Sequence, residues 1–197
     1  MTIRVGLTGS IGMGKSSTAK IFAEFGCAVW DADNAVHRLY SAGGKAVEPV
    51  SRLLPDAIEE KTVSRKKLNE LIRKKPETLE KLENIVHPLV AEDREEFVAA
   101  SMADIVVFDI PLLFENGTED QMDAVVCVTV PRQIQRQRVL SRPGMTEEQF
   151  EFILSKQMPD SEKQQRADYV IFTETPEGAR KQVREILHDL RKRRSNA

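Results

Sequence analysis

Gly9-Ser10-Ile11-Gly12-Met13-Gly14-Lys15-Ser16 is the stretch on which the reading of this chain turns. It follows the apolar run Ile3-Arg4-Val5-Gly6-Leu7-Thr8 and precedes the helical pattern Ser17-Thr18-Ala19-Lys20-Ile21-Phe22-Ala23. This is G-x-x-x-x-G-K-[ST] in the strand–loop–helix setting that a phosphate-binding loop (P-loop) requires. Glycines let successive backbone N–H groups turn inward around a phosphate chain, because no Cβ stands in the way. The helix that follows adds the positive end of its dipole. Gly12, Met13, Gly14, Lys15, Ser16 and Ser17 are thus the expected nucleotide contacts, with Lys15 on the β/γ-phosphates and the Ser16 hydroxyl on Mg²⁺. A Gly-rich turn without a ligand would not need the Lys-Ser pair. The chain is read as binding a nucleoside triphosphate.

Outward from that loop, the chain has the size and composition of a soluble α/β domain with an insertion: 197 residues, 41% hydrophobic, 30% charged, formal net charge −2. That balance gives no support for nucleic-acid binding. The one basic cluster, Arg191-Lys192-Arg193-Arg194, closes a predicted C-terminal helix, where cations favour the helix dipole. Cys27 and Cys127 lie in apolar, strand-like runs without metal-ligand spacing and read as buried free thiols in a reducing compartment. No apolar run approaches the length of a membrane span, and the N-terminus enters the first strand directly, so a cytoplasmic protein without a membrane partner is expected.

The second apolar run, Cys27-Ala28-Val29-Trp30, leads straight into Asp31-Ala32-Asp33. Acids at the carboxyl end of a parallel strand sit where such sheets bind ligands. Residues 34–104 hold little that looks like a strand, and their apolar spacing is helical, with His87-Pro88 expected to interrupt or kink the longest run. Strands return at Ile105 to Ile110, Ala124 to Val130 and Tyr169 to Thr173. A helix beginning after Pro131 carries Arg132, Arg136, Arg138 and Arg142 and is expected to reach Pro143. Thr146-x-x-Gln149 reads as a capping box, and Thr175-Pro176 opens the last helix. The fold class is therefore α/β: a five-stranded parallel sheet with helices on both faces, in the P-loop NTPase manner, with a helical insertion. The expected division is 1–33, 105–141 and 167–197 for the nucleotide-binding core, 34–104 for the helical insertion and 142–166 for a separate short segment.

The loop alone defines a superclass. A guanine-reading N-K-x-D element is absent, and Asp109 is followed by Ile110 rather than by the second acid usual in motor ATPases. A small kinase remains. Phosphoryl transfer asks for positioning, charge neutralisation and exclusion of water, and arginines on a lid supply the last two. Arg138 and Arg142, four apart, would share one helix face. Asp109, at the end of its strand, suits a Mg²⁺-bound water. Asp31 and Asp33 enter from the second strand. Asp31 suits an outer-shell metal role, and Asp33 suits contact with the acceptor hydroxyl or, alternatively, the N-cap of the following helix.

Gly6-Leu7-Thr8-Gly9, the P-loop, Asp31-Ala32-Asp33, Leu82-Glu83-x-Ile85-x-His87-Pro88, Asp109-Ile110-Pro111-Leu112-Leu113-Phe114-Glu115 and Arg138-x-x-x-Arg142 occur in that order. Together they closely resemble the dephospho-coenzyme A kinases, from about residue 3 to about residue 173. The Pro-Leu-Leu-Phe-Glu strand end and the His-Pro pair are its most specific parts, because neither belongs to P-loop proteins at large. Asn69, Phe152 and Thr173 depart from the family pattern, which commonly has Gly, Arg and Asn there. The resemblance implies ATP as co-substrate with Mg²⁺, and dephospho-coenzyme A as the small-molecule acceptor, phosphorylated on its ribose 3′-hydroxyl. It implies Lys15, Asp33, Arg138 and Arg142 as catalytic residues, Thr8, Asp33, Arg65 and His87 at the acceptor, and Ser16, Asp31 and Asp109 toward the metal. On the same resemblance, 34–104 is the helical substrate domain of a P-loop kinase and 142–166 its small lid. A monomer or weak homo-oligomer is expected. The alternatives are a P-loop kinase for another small acceptor, such as a nucleoside monophosphate, and a non-catalytic nucleotide-gated module.

Overall fold

A computed structural model of the chain describes residues 2–195. The first strand, β1 (Ile3–Thr8), is buried along almost its whole length, and the loop after it leads into α1 (Lys15–Glu24). Helix α1 turns Thr18, Ala19, Ile21 and Phe22 inward and stops at Phe25-Gly26, where Gly26 takes φ +87°. Strand β2 (Ala28–Asp31) follows, carrying Trp30 edge-on to Phe108 with ring centroids 6.0 Å apart.

The next elements are α2 (Ala32–Tyr40), α3 (Val47–Leu53), a short antiparallel pair β3 (Ile58–Glu59) and β4 (Thr62–Val63), α4 (Arg65–Lys74) and α5 (Thr78–Ala100). Residues Asp31–Ala100 form one compact unit, and the other described residues form a second. The first has its own apolar centre in Leu39, Tyr40, Val50, Val63, Leu68, Leu82 and Val86. Its hairpin departs from the helical expectation. The two-residue turn is Glu60-Lys61, with both φ positive, at 46° and 64°. Primed turns of this kind normally announce themselves with Asn-Gly or Asp-Gly, and this one carries neither. A second departure is α5, which runs unbroken across Pro88. Proline removes one N–H bond, and Pro88 lies on an exposed stretch of the helix, where water can serve the freed carbonyl.

The chain then returns to the sheet with β5 (Ile105–Asp109), β6 (Ala124–Thr129), α6 (Arg132–Leu140), α7 (Glu147–Ser155), α8 (Asp160–Arg166), β7 (Tyr169–Phe172) and α9 (Pro176–Ser195). The five-stranded parallel sheet has the order β2-β5-β1-β6-β7. β1 is central, pairing Val5 with Val107 of β5 and Leu7 with Val126 of β6. Every residue of β5 and β6 is buried, as expected of strands covered on both faces. Each large apolar side chain so buried contributes roughly 1.5–3 kcal/mol. Chain order along the sheet reverses at β1, the kind of position where parallel sheets bind ligands. The cap predictions hold: Thr146 and Gln149 form a reciprocal capping box, and the Thr175 hydroxyl accepts from Gly178 N–H. Part of the basic C-terminal cluster is used internally, through Arg191 to Asp104 and Arg193 to Asp189. No helix among the described residues is long and apolar enough to cross a membrane.

Candidate active site

The loop after β1 is shaped by its glycines where side chains have no room. Gly12 stands at φ +79°, and a Cβ there would come within 2.5 Å of Val139 Cγ2; Gly14 stands at φ +90°, and its Cβ would meet Thr173 Oγ1 at 2.6 Å. Gly14 is also the N-cap of α1 and supplies no side-chain acceptor. The first N–H groups of α1 are therefore left for an external acceptor, and no acidic residue in that turn competes for them. Ser16 and Ser17 are exposed there. Lys15 is paired with Asp109, which ends β5 and is only 3% exposed. Loop lysine and strand-end acid are thus one ion pair, which the residue spacing did not reveal. Met13 is buried, and Val130 directs its N–H to the Met13 sulfur at 3.2 Å.

Arg138 and Arg142 do not share a helix face. Helix α6 ends at Leu140, and Arg142 lies beyond it, exposed. Pro143 is the reason: the residue before a proline is pushed out of the helical region. Arg138 instead reaches the end of β7, donating from Nη1 to Thr173 Oγ1 at 3.1 Å and from Nη2 to Thr173 O at 2.7 Å. The same Thr173 hydroxyl donates to Met13 O at 2.7 Å. Thr173, one of the departures from the family pattern, thereby joins the phosphate loop to Arg138.

A buried polar cluster under the strand ends escaped the sequence reading. Lys163 of α8 is fully buried, with Nζ 2.8 Å from Glu115 Oε1 and 3.5 Å from Pro111 O. Glu115 Oε1 also accepts from Met158 N–H at 2.8 Å. Asp160 accepts from Thr129 Oγ1 at 2.7 Å and from Gln164 Nε2 at 2.5 Å. Thr8, expected at the acceptor, is itself fully buried with its hydroxyl donated to Pro111 O at 3.1 Å, so it faces the 111–115 turn. In sequence Lys163 is one charged residue in a charged helix, and nothing there marks it as buried.

The remaining predicted residues belong to the Asp31–Ala100 unit. Asp31, not Asp33, is the N-cap of α2, accepting from Asn34 N–H at 2.8 Å. A cap bond needs the residue just before the first helical turn, and the helix begins at Ala32. Asp33 is exposed in that first turn, and its backbone carbonyl accepts from Arg65 Nη2 at 3.3 Å. His87 is exposed on α5. Among the described residues no group of three or more His, Cys, Asp or Glu side chains gathers as a metal cage. Mg²⁺ asks for no such cage, since it takes one or two protein oxygens beside phosphates and waters; the Ser16 hydroxyl and the Asp109 carboxylate suit it.

Comparison with known proteins agrees with these features. The family model described as dephospho-CoA kinase matches residues 3–177. A dephospho-CoA kinase of Ruegeria pomeroyi is 56% identical over 97% of this chain and 97% of its own length. Among solved structures, TT1252 from Thermus thermophilus superposes with a TM-score of 0.85 at 32% identity, covering 96% of this chain and 98% of that one. A dephospho-CoA kinase from Campylobacter jejuni shares the fold, with a TM-score of 0.69 at 24% identity and 98% of both chains covered. A shared fold, a shaped phosphate loop and matching sequence along nearly the whole length lead to one conclusion: the chain belongs to the dephospho-CoA kinase family.

Proposed function

We infer that this chain transfers the γ-phosphoryl group of ATP to the ribose 3′-hydroxyl of dephospho-coenzyme A, giving coenzyme A and ADP. The observation that carries the reading is the glycine-shaped loop with its Lys15–Asp109 pair, in a chain of this family. The N–H groups of Gly12 and of Gly14 to Ser17 and the Lys15 ammonium hold the triphosphate, while the Met13 N–H, also expected at the nucleotide, is donated to Ser10 O at 3.2 Å within the loop. Ser16 and Asp109 would hold Mg²⁺, and Asp31, with one carboxylate oxygen used as a cap, supports it from further out. The ion, when bound, neutralises phosphate charge.

In the transfer the bond from the acceptor oxygen to the γ-phosphorus forms as the bond to the β,γ-bridging oxygen breaks. The electron pair leaves with ADP, and the hydroxyl proton passes to the Asp33 carboxylate. A sugar hydroxyl is a very weak acid and the transition state is loose, so Asp33 orients the hydroxyl and takes its proton late. Arg138, aimed by Thr173, and Arg142 from the lid segment 142–166 neutralise charge on the transferred group. Arg65 and His87 contact the acceptor, and Thr8 acts on it through the 111–115 turn. In the Asp33→Asn variant, kcat should fall about 100-fold or more while ATP binding is kept. Turnover close to wild type would remove Asp33 from this role.

A further inference from the structure

Two glutamines outside the loop bracket its apex. Gln135, early in α6 and 1% exposed, donates from Nε2 to Ile11 O at 2.8 Å. Gln157, just past α7, accepts from Ile11 N–H through Oε1 at 3.1 Å. Neither belongs to the phosphate-loop motif, and the chemistry above uses neither.

Peptide geometry gives these bonds a consequence. A trans peptide is planar, so a carbonyl and the N–H that follows it point in opposite directions. Drawing the Ile11 carbonyl toward α6 therefore turns the Gly12 N–H away from α6. The α6 side of Gly12 is filled, because a Cβ there would meet Val139 Cγ2 at 2.5 Å and Gln135 O at 3.2 Å. The Gly12 N–H thus faces the side of the loop that α6 leaves free. On the preceding peptide, Gln157 engages the Ile11 N–H, which fixes that plane as well. A loop with glycines at 9, 12 and 14 has many conformations to lose when it closes on a ligand. Bonds that hold it in shape beforehand lower that cost.

We propose that Gln135 and Gln157 are positioning residues for the triphosphate: they fix the two apex peptides so that the Gly12 N–H is aimed before nucleotide arrives. The proposal rests on the reading that this loop holds ATP. Gln135→Met and Gln157→Met each remove the bond at nearly constant side-chain length. Four quantities are measured: the Kd for N-methylanthraniloyl-ATP, the KM values for ATP and for dephospho-coenzyme A, the melting temperature, and the Gly12 amide resonance of the ligand-free protein. Losing one such bond is expected to weaken nucleotide binding and raise the ATP KM by about three- to tenfold. The KM for dephospho-coenzyme A should stay within about twofold, and the Gly12 resonance should shift or broaden. Unchanged nucleotide Kd in the folded variants overturns the proposal, and so does equal loss for both substrates, which is what a merely structural role would give. Should Gln135→Met not fold, Gln157→Met, at a half-buried site, decides by the same criteria. Failure of the wild-type chain to bind the analogue would refute the ATP reading itself.

Discussion

Replacing Thr173 by valine removes one hydroxyl at nearly constant volume, and that hydroxyl makes two bonds. It donates to Met13 O at 2.7 Å and accepts from Arg138 Nη1 at 3.1 Å, inside a residue only 7% exposed. A neutral hydrogen bond contributes about 1 kcal/mol net, and one to a charged group about 1.5–3 kcal/mol. Part of the second bond survives, because Arg138 Nη2 still has the Thr173 backbone carbonyl at 2.7 Å. The expected loss is therefore about 2 kcal/mol, or a fall of roughly 4–8 °C in melting temperature for a chain of this size. Trp30 is the only tryptophan, is buried, and lies in the same compact unit as Thr173, so its fluorescence during urea unfolding reads the loss directly. Thr173→Ser keeps the hydroxyl and should recover most of the stability. A change below about 0.5 kcal/mol in Thr173→Val, with an unchanged urea slope, would mean that the hydroxyl does not join the loop to Arg138.

Lys163→Met should cost about 3 kcal/mol, because it leaves the Glu115 carboxylate without its cation; adding Glu115→Gln should recover much of this, and equal stability of the single and double variants would contradict the pairing. Tyr169 donates to Asp189 Oδ2 at 2.5 Å, and burial, then this bond, push its hydroxyl up to about 12. The protonated phenol is the form that the fold favours. Its stabilisation is therefore complete below the unfolded value of about 10 and is lost as the pH rises from there through 12. Tyr169→Phe should abolish that alkaline component of urea stability, and an unchanged alkaline profile would refute it. Burial pushes the Cys27 thiol up to about 11 and that of Cys127 to about 12. At pH 8 neither should react with a disulfide reagent until the chain is unfolded, so stoichiometric labelling of the native protein would contradict their burial.

Much of this architecture is legible in sequence because it is local. Apolar runs of strand length, the phosphate loop between strand and helix, and the Thr146–Gln149 capping box each depend on neighbours in the chain. The misses have physical causes of two kinds. In the first, the local signal is missing or outweighed: Glu60-Lys61 forms a primed turn without its usual residues, Pro88 is absorbed in an exposed helix, and Pro143 ends α6 before Arg142. In the second, the bond spans the chain: Gln135 and Gln157 meet Ile11 across 124 and 146 residues, and Lys163 reaches Pro111 across 52. No periodicity encodes such pairings. The motif marks the loop, and the folded structure adds the bonds that Gln135, Gln157 and Thr173 make to its backbone from far along the chain.

The central claim is that this loop delivers phosphate to one particular acceptor, and coupled detection of ADP release tests it most directly. Wild-type protein with ATP and Mg²⁺ should release ADP in proportion to added dephospho-coenzyme A, and should stay at the no-acceptor background with nucleoside monophosphates. No stimulation by dephospho-coenzyme A over that background, or equal stimulation by a nucleoside monophosphate, would contradict the account.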